Sequence, residues 1–370
     1  MNNNLSNPSF KDTVTLDGIK TKEKDSVENG QHEEKEPSAP GLEELEIANN
    51  SKDNAENSLF DARTMPDWIK IAKLKPPIEP LYSPWWNRGE TCFFFGVSGI
   101  GKTIYAIQMA IEISKKYKVL FFDFELTDVQ LLKRYGLTNP EQVFNDNFIR
   151  LEMQKDKIAE PKKIFNEIRN KVVEEKPDVI IIDNISWILR DGQEAKNAIP
   201  FMQGISTLKK EEGVSILIIA HTVKKKALTK YEKGYLRSYY EPLTLSDMAG
   251  SAALNNFIDS CFAIGKSLNE SSYRYLKQLK NRSGENKHEA DNVMTIELIE
   301  KKNKILWFDT VGYVDEEQHI LSTPASEREA IIQSVISLKK QGLSNRKIAK
   351  ELNISHTTVS RYLQNQKKKP

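Results

Sequence analysis

At 370 residues the chain is long enough for two or three domains. Its 54 Lys and Arg against 52 Asp and Glu leave a formal net charge of +2, which excludes a uniformly basic nucleic-acid coat. Two cysteines, Cys92 and Cys261, exclude a disulfide or zinc framework and fit a reducing cytosol. No apolar run approaches the ~18 residues of a membrane span, and the polar, asparagine-rich start does not read as a signal peptide. A cytoplasmic protein with no membrane partner is therefore expected.

The charge is unevenly placed. Residues 1–60 hold 6 basic and 13 acidic side chains, and residues 325–370 hold 10 and 3. An acidic head and a basic tail call for different partners. Residues 1–58, poor in large apolar side chains, read as a disordered acidic tail, with Leu42, Leu45 and Ile47 leaving a short docking helix as the alternative. Residues 59–90 read as a lead-in packed on the core. Its stretch Met65–Arg88 carries five prolines with Trp68, Trp85 and Trp86, which suit packing or contact with a nucleotide base.

From Cys92 the pattern is strand, helix, strand, repeated. Cys92–Phe95 is an apolar strand, and Ile104, Ile107, Met109, Ala110, Ile111 and Ile113 follow as an apolar helix. Val119–Phe124 is a buried strand, after which Thr127 caps a helix over Asp128–Tyr135. Ile164, Ile168, Val172 and Val173 form a helical stripe. Val179–Ile182 and Val214–Ala220 are continuous apolar runs of the kind parallel buried strands show. The expected core, residues 91–317, is α/β: a mainly parallel sheet with helices on both faces. Tyr273–Leu279, Val293–Ile299 and Lys304–Phe308, joined by short turns, add antiparallel strands at its C-terminal side. A linker over 318–326 and a small all-α domain over 327–370 complete the chain.

Between the first strand and helix lies Gly96-Val97-Ser98-Gly99-Ile100-Gly101-Lys102-Thr103, the G-x-x-x-x-G-K-[ST] phosphate loop. Glycines let the backbone wrap an anion, N–H groups point inward, and the helix N-terminus adds its positive end. These eight residues are the expected ATP-binding loop, with Lys102 on the β- and γ-phosphates and Thr103 on Mg²⁺. A second Mg²⁺ carboxylate is needed, and Asp183, at the C-terminal end of Val179–Ile182, supplies it. Hydrolysis also needs a base for water. Asn184 follows the metal Asp, so the base comes from elsewhere. Asp123 and Glu125 end the neighbouring strand, and positions two apart share a face. Glu125, nearer the C-terminal edge, is the expected base, with Asp123 next; the alternative is that Glu125 merely opens the following helix.

Two further constellations are visible. His221–Tyr240 interleaves Lys224, Lys225, Lys226, Lys230, Lys233 and Arg237 with Tyr231, Tyr235, Tyr239 and Tyr240. Basic groups track a phosphate backbone and aromatics stack on bases, which suits single-stranded DNA; a solvated loop is the alternative. Lys280 and Arg282, two apart on a strand, can reach one target together or simply protect a sheet edge.

The phosphate loop, an acid after the adjacent strand and a metal Asp with no Glu behind it resemble the RecA-type ATPase core. Ile216–His221 resembles the sensor strand of hexameric replicative helicases, and Leu279-Lys280-Asn281-Arg282-Ser283-Gly284 resembles the Lys-x-Arg finger hairpin of the DnaB type. Met248–Leu254 resembles the segment before that hairpin. With His at the sensor position, the RepA type of plasmid helicase is the nearest likeness, over residues 90–312 or so. The resemblance implies ATP and Mg²⁺ as cofactors and His221 as a sensor of the γ-phosphate. It also implies Lys280 and Arg282 as catalytic groups reaching a neighbour's phosphate, Lys224–Lys226 and Arg237 on DNA in a channel, and a homo-oligomer, by analogy a hexamer.

The tail, Gly342–Leu363, carries Ser344 and Ser355 where two helices begin and Ile348, Ala349, Leu352, Ile354, Val359 and Leu363 where they pack. It resembles a helix-turn-helix of the recombinase and sigma-factor type, after a first helix with Ile331, Ile332, Val335 and Leu338. His356, Thr357, Ser360 and Arg361 then face duplex DNA, with Lys367–Lys369 on phosphates; a protein-docking module is the alternative.

Overall fold

The computed structural model describes residues 62–74, 77–136, 140–153, 160–188, 194–222, 228–232, 235–249, 254–301 and 304–366. The acidic head, Lys224–Lys226, the Arg237 side chain and Lys367–Lys369 lie outside the described residues. The chain forms two compact units that divide after Pro76, so the expected lead-in is split between them.

In the first unit, α1 (Met65–Lys73) starts at Thr64, whose hydroxyl accepts from the Asp67 N–H at 3.4 Å. Helix α1 buries none of its residues, and the Arg63 guanidinium carbon lies 5.2 Å from the Trp68 ring centroid.

The second unit opens with the short pair β1 (Pro80–Tyr82) and β2 (Trp86–Asn87). Trp85 and Trp86 are 2% and 1% exposed there, and the Trp86 indole donates to the Glu90 carbonyl at 3.2 Å. The main sheet then takes β3 (Thr91–Gly96), β4 (Val119–Asp123), β5 (Phe148–Glu152), β6 (Val179–Asp183) and β7 (Ser215–His221). It continues with β10 (Ser260–Lys266), β11 (Tyr273–Asn281), β12 (Val293–Glu300) and β13 (Leu306–Val314). Its order is β13-β12-β11-β10-β3-β7-β6-β4-β5. The six strands from β10 to β5 in that order run parallel; β11, β12 and β13 are antiparallel additions. A separate hairpin, β8 (Leu228–Glu232) with β9 (Tyr235–Tyr239), follows β7.

The continuous apolar runs are explained by burial on both faces. In β3, Phe93 and Phe95 enter one core and Cys92 and Phe94 the other; in β6, Ile180 and Ile182 oppose Val179 and Ile181. Helix α2 (Lys102–Ser114) covers the second core with Ile104, Ile107 and Met109. Helices α4 (Pro161–Glu175) and α5 (Glu194–Glu212) cover the first with Ile168, Val172, Met202 and Ile205. Each such side chain contributes about 1.5–3 kcal/mol on burial. Helix α3 (Asp128–Tyr135) starts in the expected capping box of Thr127 with Gln130.

Two expectations need correction. The last strand is not Lys304–Phe308 but β13, which continues to Val314. Asp309 and Thr310 interrupt the apolar run, yet both are exposed on this outermost strand, where polar side chains are tolerated. Residues 318–326 are not simply a linker. Helix α6 (Glu317–Ile320) lies there, Tyr240 N–H donates to the Ile320 carbonyl at 2.9 Å, and Ser322 N–H donates to Ser238 at 2.9 Å. Its anchor is Glu316, 2% exposed, which pairs with Lys277 at 2.5 Å and accepts the Tyr275 hydroxyl at 3.1 Å. A buried carboxylate so paired fixes the chain that follows.

The tail is α7 (Pro324–Lys340), α8 (Asn345–Glu351) and α9 (His356–Gln366) around Val335, Ile348, Ala349, Val359 and Tyr362. Ser344 accepts from Lys347 N–H at 3.4 Å and Ser355 from Thr358 N–H at 3.1 Å, so both serines cap as the sequence suggests.

Candidate nucleotide site and DNA-binding tail

Strand β3 delivers Gly96 to the C-terminal edge of the sheet, beside β7. A Cβ on Gly96 would lie 2.6 Å from the Ile264 side chain and 2.7 Å from its carbonyl oxygen. Gly101 has φ +109° and would place a Cβ 2.7 Å from the Phe308 ring, so this loop closes only with glycine at both positions. Helix α2 then carries Lys102 inward. Its ammonium donates to the Gly96 and Val97 carbonyls at 2.9 and 3.1 Å and to His221 Nδ1 at 3.1 Å. Burial lowers the Lys102 pKa to about 8, although Asp183 and Glu125 pull it back up.

Asp183 ends β6, level with Asp123 on β4. It is 1% exposed, and neither carboxylate oxygen has a hydrogen-bond partner among the described residues. Burial raises its pKa to about 7; the Thr103 hydroxyl nearby opposes the rise, and Glu125 and Asp123 reinforce it. An orphaned buried carboxylate beside a threonine hydroxyl and a phosphate loop is a donor set that fits Mg²⁺.

Glu125 follows β4 and is partly exposed. Its carboxylate accepts a very short hydrogen bond from the Asn184 amide and lies 3.4 Å from His221 Nε2. The His221 hydrogen bond, aided by Asn184, holds its pKa below the usual value, so the group stays an ionised carboxylate. Lys102 faces His221 Nδ1, and Nε2 lies 3.1 Å from the Asn184 amide nitrogen as well as near Glu125. Lys102, Asp183, Glu125 and His221, distant in sequence, thus meet at one sheet edge. Asn184 joins them with 0% exposure, its Oδ1 accepting from Ser186 N–H at 3.0 Å. The sequence noted this asparagine only as a missing acid.

Asp123, the second candidate base, has a different setting. Strand β4 stops at this residue, so the two-residue rule does not carry over to Glu125. The Asp123 carboxylate is 1% exposed and already accepts from Glu125 N–H, Leu126 N–H and Arg150 at 3.0, 2.9 and 2.8 Å.

Lys280 and Arg282 lie elsewhere. Lys280 pairs with Cys261, which is level with Phe93 near the start of β3, three residues before Gly96. Arg282 lies just past β11, and a bulge at Cys261/Phe262 shifts the register. The two do not share a partner: Lys280 donates to the Asn255 carbonyl at 3.0 Å and Arg282 to Asp259 Oδ1 at 2.9 Å. Asp259 also accepts from Lys209 at 2.6 Å and Thr91 N–H at 2.9 Å. Burial opposes its ionisation, but those donors keep its pKa below the usual value.

In the tail, His356, Thr357 and Arg361 are exposed, as expected of a DNA-facing set. Ser360 is half-buried, and the Asn345 amide donates to it at 3.4 Å. Tyr362, passed over in the sequence, is 7% exposed and closes the core, with the Arg361 guanidinium carbon 5.5 Å from its ring centroid.

The loop, its carboxylate and the sheet define a P-loop ATPase-type domain, followed by a helix-turn-helix domain. Residues 59–227 match the family model described as "AAA domain", and residues 326–369 match that of "Bacterial regulatory proteins, luxR family". The latter supports the helix-turn-helix read from the sequence, and with it DNA binding by the tail. Among solved structures, the flagellar accessory protein FlaH from Methanocaldococcus jannaschii is similar at 12% identity and a TM-score of 0.41, covering 60% of this chain and 90% of that chain. A likeness that loose carries no argument. No curated protein matches.

Proposed function

We propose that the protein is an ATP-hydrolysing, RepA- or DnaB-like helicase or helicase-like motor of a replication or mobile-element system. It works as a homo-oligomer, by resemblance a hexamer, and holds duplex DNA with its tail. Lys102 neutralises the β- and γ-phosphates, Glu125 takes the proton of the attacking water, and His221, bonded to Lys102, reports the phosphate to β7 and the hairpin behind it. Mg²⁺ held by Thr103 and Asp183 would draw charge from the phosphate oxygens.

The observation that carries this reading is the placement of Arg282. It lies toward the N-terminal edge of the sheet, about five strand residues or ~15 Å from its own phosphate loop, with a half-exposed side chain. At that distance it serves a site only across an interface, where such an arginine contributes about 10³–10⁵ in rate. The test mixes Arg282→Ala with Lys102→Ala. Each alone should lack activity, and the mixture should recover part of it, because one interface in the mixed assembly keeps both parts. Co-assembly without recovery refutes action in trans.

The luxR-family match favours a second reading, an ATP-dependent DNA-binding regulator that assembles without unwinding. ATPase stimulation by single strands with unwinding supports the motor; stimulation by duplex alone, with none, supports the regulator.

A further inference from the structure

We infer that Arg150 is a positioning residue for Glu125, an inference that rests on the reading of Glu125 as base. Arg150 lies on β5, the outermost parallel strand, and none of its contacts is to the phosphate loop.

The argument starts from what holds Glu125. The residue sits after β4 ends, so no strand ladder fixes it. The three residues Phe124–Leu126 are instead tied at each position. Phe124 N–H donates to the Asp183 carbonyl at 2.8 Å, linking the segment to the metal-binding strand. Glu125 N–H and Leu126 N–H both donate to Asp123 Oδ1, at 3.0 and 2.9 Å. That carboxylate stays in place because Arg150 Nε donates to its other oxygen at 2.8 Å. Arg150 Nη2 then reaches past Asp123 to the Leu126 carbonyl at 2.8 Å. One guanidinium therefore grips the turn at two points, Asp123 and Leu126, and Glu125 is one of the two residues between them. Its remaining nitrogen, Nη1, lies 3.4 Å from Asp128 and from Glu152, at the exposed rim.

The geometry needs arginine. A lysine ammonium can hold Asp123 but cannot span to Leu126 as well, because it lacks the planar fork. Loss of the fork frees the turn to move Glu125 relative to Asn184 and His221. A misplacement of about 1 Å lowers a rate on the order of 100-fold.

The experiment uses the full chain and single-turnover ATP hydrolysis beside equilibrium binding of Mg-ATP. Arg150→Met should slow hydrolysis about 10- to 100-fold and leave Mg-ATP affinity nearly unchanged. Arg150→Lys should recover part of the rate. In the Glu125→Gln background, Arg150→Met should add little further loss, because its effect passes through Glu125. Asp123→Asn with Arg150→Met keeps the turn acceptor while removing the buried charge, and it stands in should Arg150→Met alone unfold. A slow Glu125→Gln beside a normal Arg150→Met overturns this inference and leaves the base assignment intact. Equal slowing by Arg150→Met with and without Glu125 also overturns it. Wild-type turnover in Glu125→Gln removes the base assignment, and this inference with it.

Discussion

Asp183→Asn should make the nucleotide-free protein less sensitive to pH. The carboxyl is fully buried with no hydrogen-bond partner among the described residues, and its pKa rises from 3.8 to about 7. A shift of about three units corresponds to roughly 4 kcal/mol. Between pH 4 and 7 the folded state keeps the Asp183 proton while the unfolded chain has lost it. The folded state binds more protons there, so stability falls as pH rises, and the full loss is present above about pH 7. Part of the loss has accrued by pH 5, which leaves on the order of 2–3 kcal/mol to disappear between pH 5 and pH 8. Asn does not titrate, and the cost of its buried amide is the same at both pH values.

The measurement is urea unfolding at 25 °C, without Mg²⁺ or nucleotide, followed by tryptophan fluorescence, to which the buried Trp85 and Trp86 contribute. The stability of the wild type minus that of Asp183→Asn should fall by about 2–3 kcal/mol from pH 5 to pH 8. A difference that stays constant refutes the reasoning and implies that Lys102 moves onto Asp183 when no phosphate is present. Mg-ATP should stabilise the wild type at pH 8 and do little for the variant, since the charge that weakens the empty fold is the one the cation needs.

The same groups give Mg-ATP affinity a maximum near pH 7–8: below it protons compete with Mg²⁺ for Asp183, and above it Lys102, at about 8, loses its charge. Calorimetric titration showing flat affinity from about pH 6 to 9 counts against both roles. Gly101→Ala should abolish nucleotide binding, because a Cβ meets the Phe308 ring at 2.7 Å and φ +109° strains any other residue; equilibrium binding of Mg-ATP checks this, and near-normal affinity refutes it. Ile348→Ala, at a fully buried position of the tail, should cost about 2–5 kcal/mol there and remove duplex binding while basal ATP hydrolysis persists. Equal loss of both activities refutes independence of the tail. Arg361→Ala should instead leave the tail folded and relax discrimination between duplex sequences in a competition assay, by roughly 1–3 kcal/mol at one base pair if it grips guanine.

What was legible in the sequence was local. The phosphate loop needs glycines at fixed spacing, and strands buried on both faces read as apolar runs, so Gly96–Thr103, β3, β4, β6 and β7 were visible before any packing was known. Asp183 followed from its strand end. Arg150 and Asp259 were not visible, because the contacts that matter, Arg150 to Asp123 and Asp259 to Arg282, span 27 and 23 residues, and an arginine in Phe148–Glu152 looks like any polar strand position. Residues 318–326 were misread because Gln318, Ser322 and Thr323 look like a linker, while the buried pair Lys277–Glu316 that anchors them joins residues 39 apart. The strand after Phe308 was cut short for a related reason: local polarity at Asp309 and Thr310 outweighed pairing with β12.

The sheet's direction links these pieces into one argument. All six parallel strands deliver their C-terminal ends to the edge that carries Lys102, Asp183, Glu125 and His221, so that edge collects acids and a phosphate loop. The N-terminal edge collects Lys209, Lys280 and Arg282 around Asp259, which binds two of those cations and the Thr91 N–H. Arg282 gives Asp259 only Nη1, and its other guanidinium nitrogens make no bond among the described residues. A phosphate in a second copy offers more charge than one shared carboxylate oxygen, and the half-exposed side chain can turn to it. Asp259 therefore holds the Arg282 side chain by one bond, beside the Arg282 N–H donating to the Asp259 carbonyl at 2.9 Å, so under the proposed action in trans a neighbour's phosphate displaces only the side-chain bond.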